Sequence, residues 1–586
     1  MNRRVLMWVA LGLLAAAPFV LSEFYVTLLN YIGLASIVTL GLVLLTGVGG
    51  LTSFGQAAFV GIAAYTTAVL TTRYGISPWL SLPAALLLIL PISLFLGFIT
   101  LRLSGHYLPL GTIAWGIAIY FLFGNLEVLG KYSGIAELPR LSIFGWSLGD
   151  GHRMYYLIWA VTLVALIAVD NLLDSRVGRA IRSLKGRTKM AESFGINTSR
   201  LKIVLFVYAA LLAAMSGWLY AHFLRYVSPQ PFSPNASIDY LFMAVIGGST
   251  EVWGAIIGAG LLTMLKEWLK DILPRLSDQS GNYEIVVFGL LTMLLLHRSS
   301  EGLVPYVSAL LPAEKPSLPQ AKGPALPART QPPRGEPLLQ ISGATKRFGA
   351  LAAVSGLSFE MRAGEVLGLI GPNGAGKSTV FNLMTGLLLA NEGEIRFRGE
   401  RIDRLQSREI ARLGIARTFQ HVNIIPSMKV LENAAIGAHL RGSAGLCAAS
   451  LRLDRTEESR LLSEAARRLD WVGLGSQLFE PAGALPLGSQ RLLEVARALC
   501  ANPVLLLLDE PAAGLRYMEK QALAGLLRRL REDGVSILLV EHDMEFVMGL
   551  ADRVVVMNFG EKLAEGSPSE VQNNEAVIEA YLGSVA

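Results

Sequence analysis

A glycine-rich segment, Gly371-Pro-Asn-Gly-Ala-Gly-Lys-Ser378, matches the pattern G-x-x-x-x-G-K-[ST] at every fixed position. It lies between an apolar run that predicts a buried strand, residues 365–370, and an apolar-periodic run from Thr379 that predicts a helix. The glycines let backbone N–H groups wrap phosphates, and the helix N-terminus adds positive potential. Lys377 would reach the β- and γ-phosphates, and Ser378 would ligate Mg²⁺. A purely structural turn would need neither side chain, so the segment predicts nucleotide binding.

A second apolar run, residues 504–508, ends in the acidic pair Asp509-Glu510. A buried strand that delivers Asp509 to the Mg²⁺ shell is the second half of a P-loop ATPase site. Glu510, one residue further on, is placed to polarise the attacking water. The pair could instead be an ordinary surface turn. Beside a complete P-loop, however, the sequence favours hydrolysis of ATP with Mg²⁺.

These motifs belong to a longer stretch that resembles a known family. Residues 338–586 resemble the ATPase of ABC transporters throughout, and in particular the first ATP-binding subunit of the branched-chain amino acid importers. The resemblance rests on the run from Ile370 to Thr379 and on Asp509-Glu-Pro-Ala-Ala-Gly-Leu515. It implies an α/β P-loop fold and ATP hydrolysis coupled to transport.

The resemblance also assigns roles to residues that are unremarkable when taken alone. Phe348, in Lys346-Arg-Phe-Gly349, would stack on adenine. Gln420 would sense the γ-phosphate and join the Mg²⁺ shell, and His542 would contact the γ-phosphate. The implied catalytic residues are Glu510, His542 and Gln420, and the implied Mg²⁺ ligands are Ser378, Gln420 and Asp509. The implied nucleotide-binding residues are Phe348, Gly371, Pro372, Asn373, Gly374, Ala375, Gly376, Lys377, Ser378, Thr379, Gly488, Ser489 and Gln490.

One motif departs from the family pattern. The signature, close to Leu-Ser-x-Gly-Gln, is here Leu485-Pro-Leu-Gly-Ser-Gln490. Pro486 stands where the family serine donates a hydroxyl to the γ-phosphate, and proline lacks an N–H as well. ABC ATPases work as head-to-tail pairs, in which each signature faces the partner's P-loop. The resemblance therefore implies that Gly488, Ser489 and Gln490 face the ATP of the partner, and that this ATP would lose a donor.

The chain that carries this ATPase divides into two halves of different composition. Of its 586 residues 52% are hydrophobic and only 16% are charged, against about 25% charged in an ordinary soluble domain. Residues 1–297 are mostly long apolar runs, whereas 338–586 alternate apolar and charged positions. The first run, Val5–Leu21, could be a signal peptide, but no soluble mature domain follows it, so it predicts a membrane helix with its N-terminus inside. Further runs cover approximately 26–48, 52–72, 79–101, 107–124, 156–170, 203–224, 239–265 and 284–297.

The run 239–265 is interrupted by Gly247-Gly248 and Gly254, with Glu251 between them. Either it divides into two segments or one segment re-enters the membrane, because irregular backbone at membrane depth survives only inside protein or a cavity. Earlier, the polar stretch Gly47–Gln56 also interrupts apolar runs. We expect Thr52, Ser53 and Gln56 to line a solute path, although the glycines could simply allow close helix packing.

A basic cluster separates two of the apolar runs. Its members are Arg176, Arg179, Arg182, Lys185, Arg187, Lys189, Arg200 and Lys202. Such a cluster could bind nucleic acid, but between membrane runs it predicts a cytoplasmic loop. Residues 30–297 resemble the permease of the same importers, through 45–61, 175–182 and 245–249. Within the loop, Ala191–Ile196 resembles the coupling helix by which such permeases sit on the ATPase.

Residues 298–337 predict a linker between the two halves. Eight prolines lie between Pro312 and Pro337, and proline fixes φ and lacks a donor. At about 3.1 Å per residue the proline-rich stretch 312–337 would reach on the order of 80 Å when fully extended. The sequence thus predicts an α-helical polytopic membrane domain (1–297), a Pro-rich linker (298–337) and an α/β ABC ATPase domain (338–586).

The two halves together predict a fused permease and ATPase of an importer in the bacterial inner membrane, with the ATPase in the cytoplasm. The resemblance implies ATP and Mg²⁺ as cofactors, a second permease and ATPase or a second copy of this chain as partners, and a periplasmic solute-binding protein. Two alternatives remain. An exporter usually extends its helices far into the cytosol, whereas this loop has 27 residues from Arg176 to Lys202. A regulatory ATP-binding subunit with slow turnover would fit the altered signature.

Overall fold

The structure is a computed structural model that describes residues 3–101, 103, 107–143, 145–276 and 325–582, with isolated positions between 289 and 306. The chain forms two compact units. One contains residues 1–173 and 199–315, and the other contains residues 174–198 and 316–586. This grouping differs from the predicted 1–297, 298–337 and 338–586, because a loop of the membrane half folds with the ATPase.

Helices make up most of the first unit. They are α1 (Arg3–Val20), α2 (Glu23–Leu42), α3 (Gln56–Thr72), α4 (Pro78–Thr100), α5 (Tyr107–Asn125), α6 (Gly151–Leu173), α9 (Thr198–Leu224), α10 (Pro234–Gly248) and α11 (Gly254–Leu276). Short strands β1 (Ile135–Ala136), β2 (Ser142–Ile143), β3 (Trp146–Ser147) and β4 (Tyr226–Val227) form two small antiparallel pairs. In the part of the chain that the structure describes, five helical segments are long and apolar enough to cross a membrane, which confirms a polytopic membrane domain.

The interrupted run 239–265 forms two helices, α10 and α11, joined by a short turn. They pack closely because glycines line their contact. A Cβ at Gly247 would lie 1.8 Å from the Gly254 carbonyl oxygen, and one at Gly258 would lie 1.8 Å from the Met243 carbonyl oxygen. The expected division is therefore present. The run 284–297 lies largely outside the described residues.

The polar stretch after α2 is irregular, as its composition predicts. The chain makes a π-helical turn at Val43–Val48, and α3 begins at Gln56. Ser53 and Gln56 are buried, Thr52 is half-buried, and both amide atoms of Gln56 lack a hydrogen-bond partner among the described residues. A Cβ at Gly47 would lie 1.4 Å from the Ser249 carbonyl oxygen, so close packing is also present here. A solute path through Thr52, Ser53 and Gln56 stays a prediction.

The ATPase unit contains two sheets. The larger has the order β10-β11-β12-β7-β13-β14, parallel except for the last strand, and the smaller is antiparallel with the order β6-β5-β8-β9. The strands are β5 (Pro337–Phe348), β6 (Leu351–Arg362), β7 (Val366–Ile370), β8 (Glu392–Phe397), β9 (Glu400–Arg401), β10 (Ile415–Arg417), β11 (Leu505–Asp509), β12 (Ser536–Val540), β13 (Arg553–Asn558) and β14 (Glu561–Gly566).

Helices of the same unit surround these sheets. They are α7 (Arg176–Arg182), α8 (Thr188–Ser193), α12 (Lys377–Met384), α13 (Ser407–Leu413), α14 (Val430–Ala435), α15 (Leu446–Ser450), α16 (Arg455–Trp471), α17 (Leu487–Cys500), α18 (Tyr517–Glu532), α19 (Met544–Met548), α20 (Pro568–Gln572) and α21 (Glu575–Leu582). This arrangement confirms the predicted α/β fold.

The central strands are apolar on both faces, as parallel strands covered on both sides require. β7, β11 and β12 are buried at every position. Along β11, Leu506 and Leu508 join one hydrophobic core while Leu505 and Leu507 join another. The strands therefore separate two hydrophobic cores of the unit.

The linker and the basic loop both lie against the ATPase. Gln331 donates to the Pro503 carbonyl (3.1 Å), and Arg334 donates to the Arg531 carbonyl (2.7 Å). The linker is therefore attached to the ATPase along residues 325–336.

In the loop, Met190 and Phe194 are fully buried. Of its basic residues, Arg176, Arg179 and Arg187 donate hydrogen bonds to the ATPase, to His439, Glu458 and Asn423 respectively.

Candidate nucleotide-binding site

Four loops at one edge of the six-stranded sheet carry the predicted chemistry. β10, β11, β12 and β7 are neighbouring parallel strands. Because parallel strands run the same way, their carboxyl ends meet at one edge, where open α/β sheets bind ligands. The loops that follow these strands carry Gln420, Asp509-Glu510, Glu541-His542 and the P-loop respectively.

The P-loop joins β7 to α12 and needs glycine at two close approaches. Gly376 has a φ of 96°, and a Cβ there would lie 2.2 Å from the Ala353 carbonyl oxygen. Gly371 has a φ of 153°, and a Cβ there would lie 2.1 Å from the Met557 carbonyl oxygen. Larger residues would push the loop away from the sheet. Asn373, Gly374 and Ser378 are exposed, so their backbone and hydroxyl groups can reach a ligand, whereas Pro372 and Thr379 are half-buried and Ala375 is buried.

Lys377 is buried against the loop that it belongs to. Its Nζ donates to the carbonyl oxygens of Gly371 (2.7 Å) and Pro372 (2.9 Å). Burial lowers the pKa of its ammonium, and the nearby carboxylates of Glu510 and Asp509 oppose that shift. A neutral carbonyl is a weak partner for an ammonium ion compared with a phosphate. The side chain is thus held at the site by bonds that a phosphate can replace.

Asp509 ends β11 in a buried position with 2% exposure. Its backbone N–H donates to the Thr418 hydroxyl, and its Oδ2 lies 3.8 Å from the Arg417 guanidinium. Burial raises the pKa of the Asp509 carboxyl, and Arg417 opposes the rise. Its Oδ1 has no hydrogen-bond partner among the described residues. A buried carboxylate oxygen without a partner is costly in the free protein, and a cation would satisfy it.

The three predicted catalytic residues meet at one atom. Gln420 Nε2 donates to Glu510 Oε1 (3.1 Å), and His542 Nε2 lies 2.9 Å from the same oxygen. Glu510 has a φ of 48°, and its N–H donates to the Val540 carbonyl of the neighbouring strand (2.8 Å). The left-handed backbone turns the side chain away from the path of β11. Three residues spread over 123 positions in sequence therefore converge on one carboxylate.

Two further buried residues hold this edge of the sheet in place, and neither is among the site residues predicted from the sequence. Glu541 is 3% exposed and accepts hydrogen bonds from the N–H groups of Ala512 (2.5 Å) and His542 (3.1 Å). Burial raises the pKa of its carboxyl, and these backbone donors oppose the rise. Arg417 donates to Asn382 Oδ1 and Thr385 Oγ1, both on or next to α12. Their sequence signal was their position directly beside Thr418 and His542.

Phe348 lies at the end of β5, where it pairs with Leu351 of β6. Its ring is 49% exposed, and Lys346 Nζ lies 5.4 Å from the ring centroid. Two residues further along β6, the Ala353 carbonyl contacts the P-loop at Gly376. The exposed ring therefore lies on a hairpin that adjoins the P-loop, as stacking on a base would require.

The signature segment lies apart from this cluster. Pro486 precedes the first residue of α17, with φ −57° and ψ 153°, and provides no side-chain cap. Gln490 Nε2 donates to the Leu485 carbonyl (2.8 Å). Among residues 325–582, no hydrogen bond joins Gly488, Ser489 or Gln490 to the P-loop. The side chain of Gln490 is therefore occupied within its own segment, which its predicted role in ligand binding did not anticipate.

Comparison with known families covers both halves of the chain. The family described as the permease component of the branched-chain amino acid transport system matches residues 24–296. The ABC transporter family matches residues 354–513, and the branched-chain amino acid ATP-binding cassette transporter family matches residues 561–586. The permease match and the ATPase matches thus lie on the two halves that composition had separated.

Individual relatives match the ATPase half. The high-affinity branched-chain amino acid transport ATP-binding protein LivG of Salmonella typhimurium is 44% identical over 251 residues, which are 42% of this chain and 98% of the relative. BraF of Pseudomonas aeruginosa, with the same description, is 42% identical over 250 residues, again 42% of this chain and 98% of the relative. A solved ATP-binding cassette of an ABC transporter in its ADP conformation is 33% identical and covers 42% of this chain and 99% of its own, with a TM-score of 0.38.

Proposed function

This chain belongs to the branched-chain amino acid family of ABC transporters, and from that premise we propose that it imports amino acids or related small solutes across the bacterial inner membrane. It hydrolyses ATP in coupling with transport, as the ATPases of this family do. The observation that carries the ATP-driven part of the proposal is the contact of Gln420 and His542 with Glu510 Oε1, because a carboxylate held by two polar side chains can orient and activate water.

The roles of the site residues follow from their positions. The P-loop N–H groups and Lys377 bind the phosphates, with Lys377 exchanging two carbonyl oxygens for phosphate oxygens. Glu510 accepts a proton from the attacking water, and His542 contacts the γ-phosphate. Gln420 senses whether the γ-phosphate is present and transmits this state to the rest of the chain. Phe348 supplies the exposed ring for adenine.

The residues at the end of β11 fit Mg²⁺. Asp509 offers a buried carboxylate oxygen that lacks a partner among the described residues, and oxygen ligands are those that Mg²⁺ prefers. Ser378 offers an exposed hydroxyl at the first turn of α12, and Gln420 offers an amide oxygen. When bound, the ion would neutralise charge between the β- and γ-phosphates.

The direction of transport is supported by the length of the loop between α6 and α9. α6 ends at Leu173 and α9 begins at Thr198, with only the short helices α7 and α8 between them. Exporters of this class usually continue their membrane helices far into the cytosol. A second permease and ATPase, or a second copy of this chain, would complete the transporter. A periplasmic binding protein would deliver the solute.

A second candidate function is that of an ATP-binding subunit with slow turnover. Pro486 favours it, because proline at the start of α17 offers neither hydroxyl nor N–H to a phosphate. This candidate would bind ATP with the same P-loop but hydrolyse it slowly at the site that its own signature completes.

Reconstitution of the complex separates these candidates. The complex is isolated through this chain, placed in proteoliposomes with enclosed ATP, and given radiolabelled leucine with solute-binding protein outside. We expect uptake that requires both enclosed ATP and the binding protein, and none with the Glu510→Gln variant. ATP-dependent loss of preloaded leucine would instead indicate an exporter. Nucleotide binding without turnover would indicate the regulatory subunit.

A further inference from the structure

Residues 174–182 contact the ATPase at a place separate from helix α8. We call this contact the α7 dock, and its ATPase side consists of residues 432–458. Arg176 donates to the carbonyl oxygens of His439 (2.8 Å) and Ala444 (2.6 Å), and its Nε lies 3.6 Å from Glu457 Oε1. At the edges of the dock, Arg455 pairs with Asp174 (2.8 Å) and Arg182 pairs with Glu432 (3.5 Å).

The centre of the α7 dock is a buried ion pair. Arg179 and Glu458 are each 4% exposed, and the guanidinium donates to both carboxylate oxygens, with Nη2 3.1 Å from Oε2. A bidentate pair combines charge with fixed geometry. Because both charges are desolvated, removal of one partner leaves the other buried without compensation. The pair therefore fixes which surfaces meet.

The covalent linker reaches the ATPase beside the same place. Arg441 donates to the carbonyl oxygens of Leu326 (3.4 Å) and Pro327 (3.3 Å). It lies between His439 and Ala444, the two residues whose carbonyls accept from Arg176. The loop and the linker thus contact one short segment, residues 439–444. A tether that is attached next to a docking surface raises the effective concentration of its own chain there.

We propose that the α7 dock is a second, ion-paired docking element beside α8, and that it joins the loop to the ATPase of the same chain rather than to that of a partner. In transporters built from separate subunits, the permease chain has no ATPase of its own, so its loop always contacts a different chain. Here the fusion makes the two arrangements distinguishable, and the inference holds for any transported solute.

A disulfide between two buried serines tests which ATPase the loop contacts. Ser193 on α8 and Ser407 on α13 have hydroxyl oxygens 3.4 Å apart, so Ser193→Cys with Ser407→Cys brings two thiols together with little change in volume. The exposed Cys447 is changed to Ser, while Cys500 stays because it is fully buried. A protease site is inserted within residues 316–324. Full-length complexes are oxidised in membranes, and a parallel sample is treated with a bis-maleimide reagent.

We expect a cross-linked species of monomer mass whose two fragments stay joined after cleavage of the linker. For the oxidised sample, a reductant then separates them. A species of dimer mass would overturn the proposal, because it would show docking on a partner copy. Fragments that separate without reductant, and after the maleimide reagent as well, would overturn it too. The matched control combines Ser193→Cys with Ser569→Cys on the exposed start of α20, and should give no joined fragments.

Charge reversal tests the ion pair with the same readout. Arg179→Glu should lower the cross-linked fraction about fivefold or more, and the exchange Arg179→Glu with Glu458→Arg should restore it to within about twofold. Lys189→Glu is the matched control, since this exposed loop residue makes the same charge change outside the dock. Should Arg179→Glu impair folding, judged by loss of nucleotide binding, Glu458→Gln replaces it. Parental cross-linking in both variants, or failure of the exchange to restore it, would overturn the proposal.

Discussion

The nucleotide site and the α7 dock are both built from buried charged groups, yet they treat those groups differently. At the nucleotide site Lys377 rests on backbone carbonyls, and Asp509 Oδ1 has no partner among the described residues. In the α7 dock the Arg179 guanidinium donates two hydrogen bonds to the Glu458 carboxylate, and only its Nε lacks a partner among the described residues. Phosphate oxygens can replace the carbonyl partners of Lys377 and a cation can complete Asp509, so the first arrangement is suited to a ligand that comes and goes. The second is suited to a contact that lasts.

Replacement of Glu510 should produce the largest difference in effect between the nucleotide site and the α7 dock. In the Glu510→Gln variant the amide cannot accept a proton from water, so kcat for ATP hydrolysis should fall about a thousandfold while ATP stays bound. Steady-state ATPase and retention of labelled ATP on the complete complex measure this. Glu532→Gln, at the exposed end of α18, is the control. Hydrolysis at the parental rate would contradict the assignment of Glu510.

Lys377→Ala should weaken nucleotide binding about a hundredfold, or about 3 kcal/mol, because a charged hydrogen bond to phosphate is lost. The α7 dock should stay intact, since Lys377 takes no part in it. Calorimetric titration with ATP measures the first effect, and the cross-linked fraction of the Ser193→Cys, Ser407→Cys pair measures the second. A Kd within twofold of the parent would show that the carbonyl contacts of Lys377 are purely structural.

The α7 dock should respond to pH in a way that the nucleotide site does not. Burial, together with Arg176 and Arg179, lowers the pKa of His439 to about 3. Between that value and the ordinary 6.5 the unfolded chain binds the extra proton, so stability is lost as pH falls below about 6.5. At pH 5 this amounts to about 2 kcal/mol of unfolding free energy. His439→Gln should remove that part of the pH dependence in thermal unfolding, whereas His421→Gln, at an exposed position, should leave it.

Replacement of Pro486 should have the smallest effect. It acts on an ATP molecule that this chain binds together with the partner ATPase. We expect a complex with two unequal ATP sites when the partner ATPase has an intact signature. With this chain's own site disabled by Glu510→Gln, the further change Pro486→Ser should raise the remaining turnover about tenfold, since one hydrogen-bond donor is restored. Fast remaining turnover that Pro486→Ser leaves unchanged would contradict the asymmetry.

The sequence was sufficient for those parts of the site that are contiguous in the chain. The P-loop and Asp509-Glu510 each carry their own strand and turn signals, so local patterns located both. The resemblance added Gln420 and His542, and the structure brings both to Glu510. The sequence signal for Glu541 was only its position beside His542, because a buried carboxylate that accepts backbone N–H groups has no motif of its own.

Sequence patterns could not predict the α7 dock. The loop was expected to contact the ATPase through Ala191–Ile196, but the pairing of Arg179 with Glu458 joins positions 279 residues apart. No periodicity relates two charges at such a separation; only the fold brings them together. The attachment of residues 325–336 was missed for a similar reason, since a proline-rich composition predicts extension but not what the extended chain lies against.

The backbone conformation of Glu510 lowers the stability of this ATPase, whereas its side chain is needed for ATP hydrolysis. A residue with a side chain at φ 48° costs roughly 1 kcal/mol that glycine would not. Glu510→Gly should therefore yield a chain that unfolds at a higher temperature and no longer hydrolyses ATP. Screening variants of this protein for thermal resistance alone would favour that change. At this position stability and activity are in direct competition, so only a screen for turnover would preserve the glutamate.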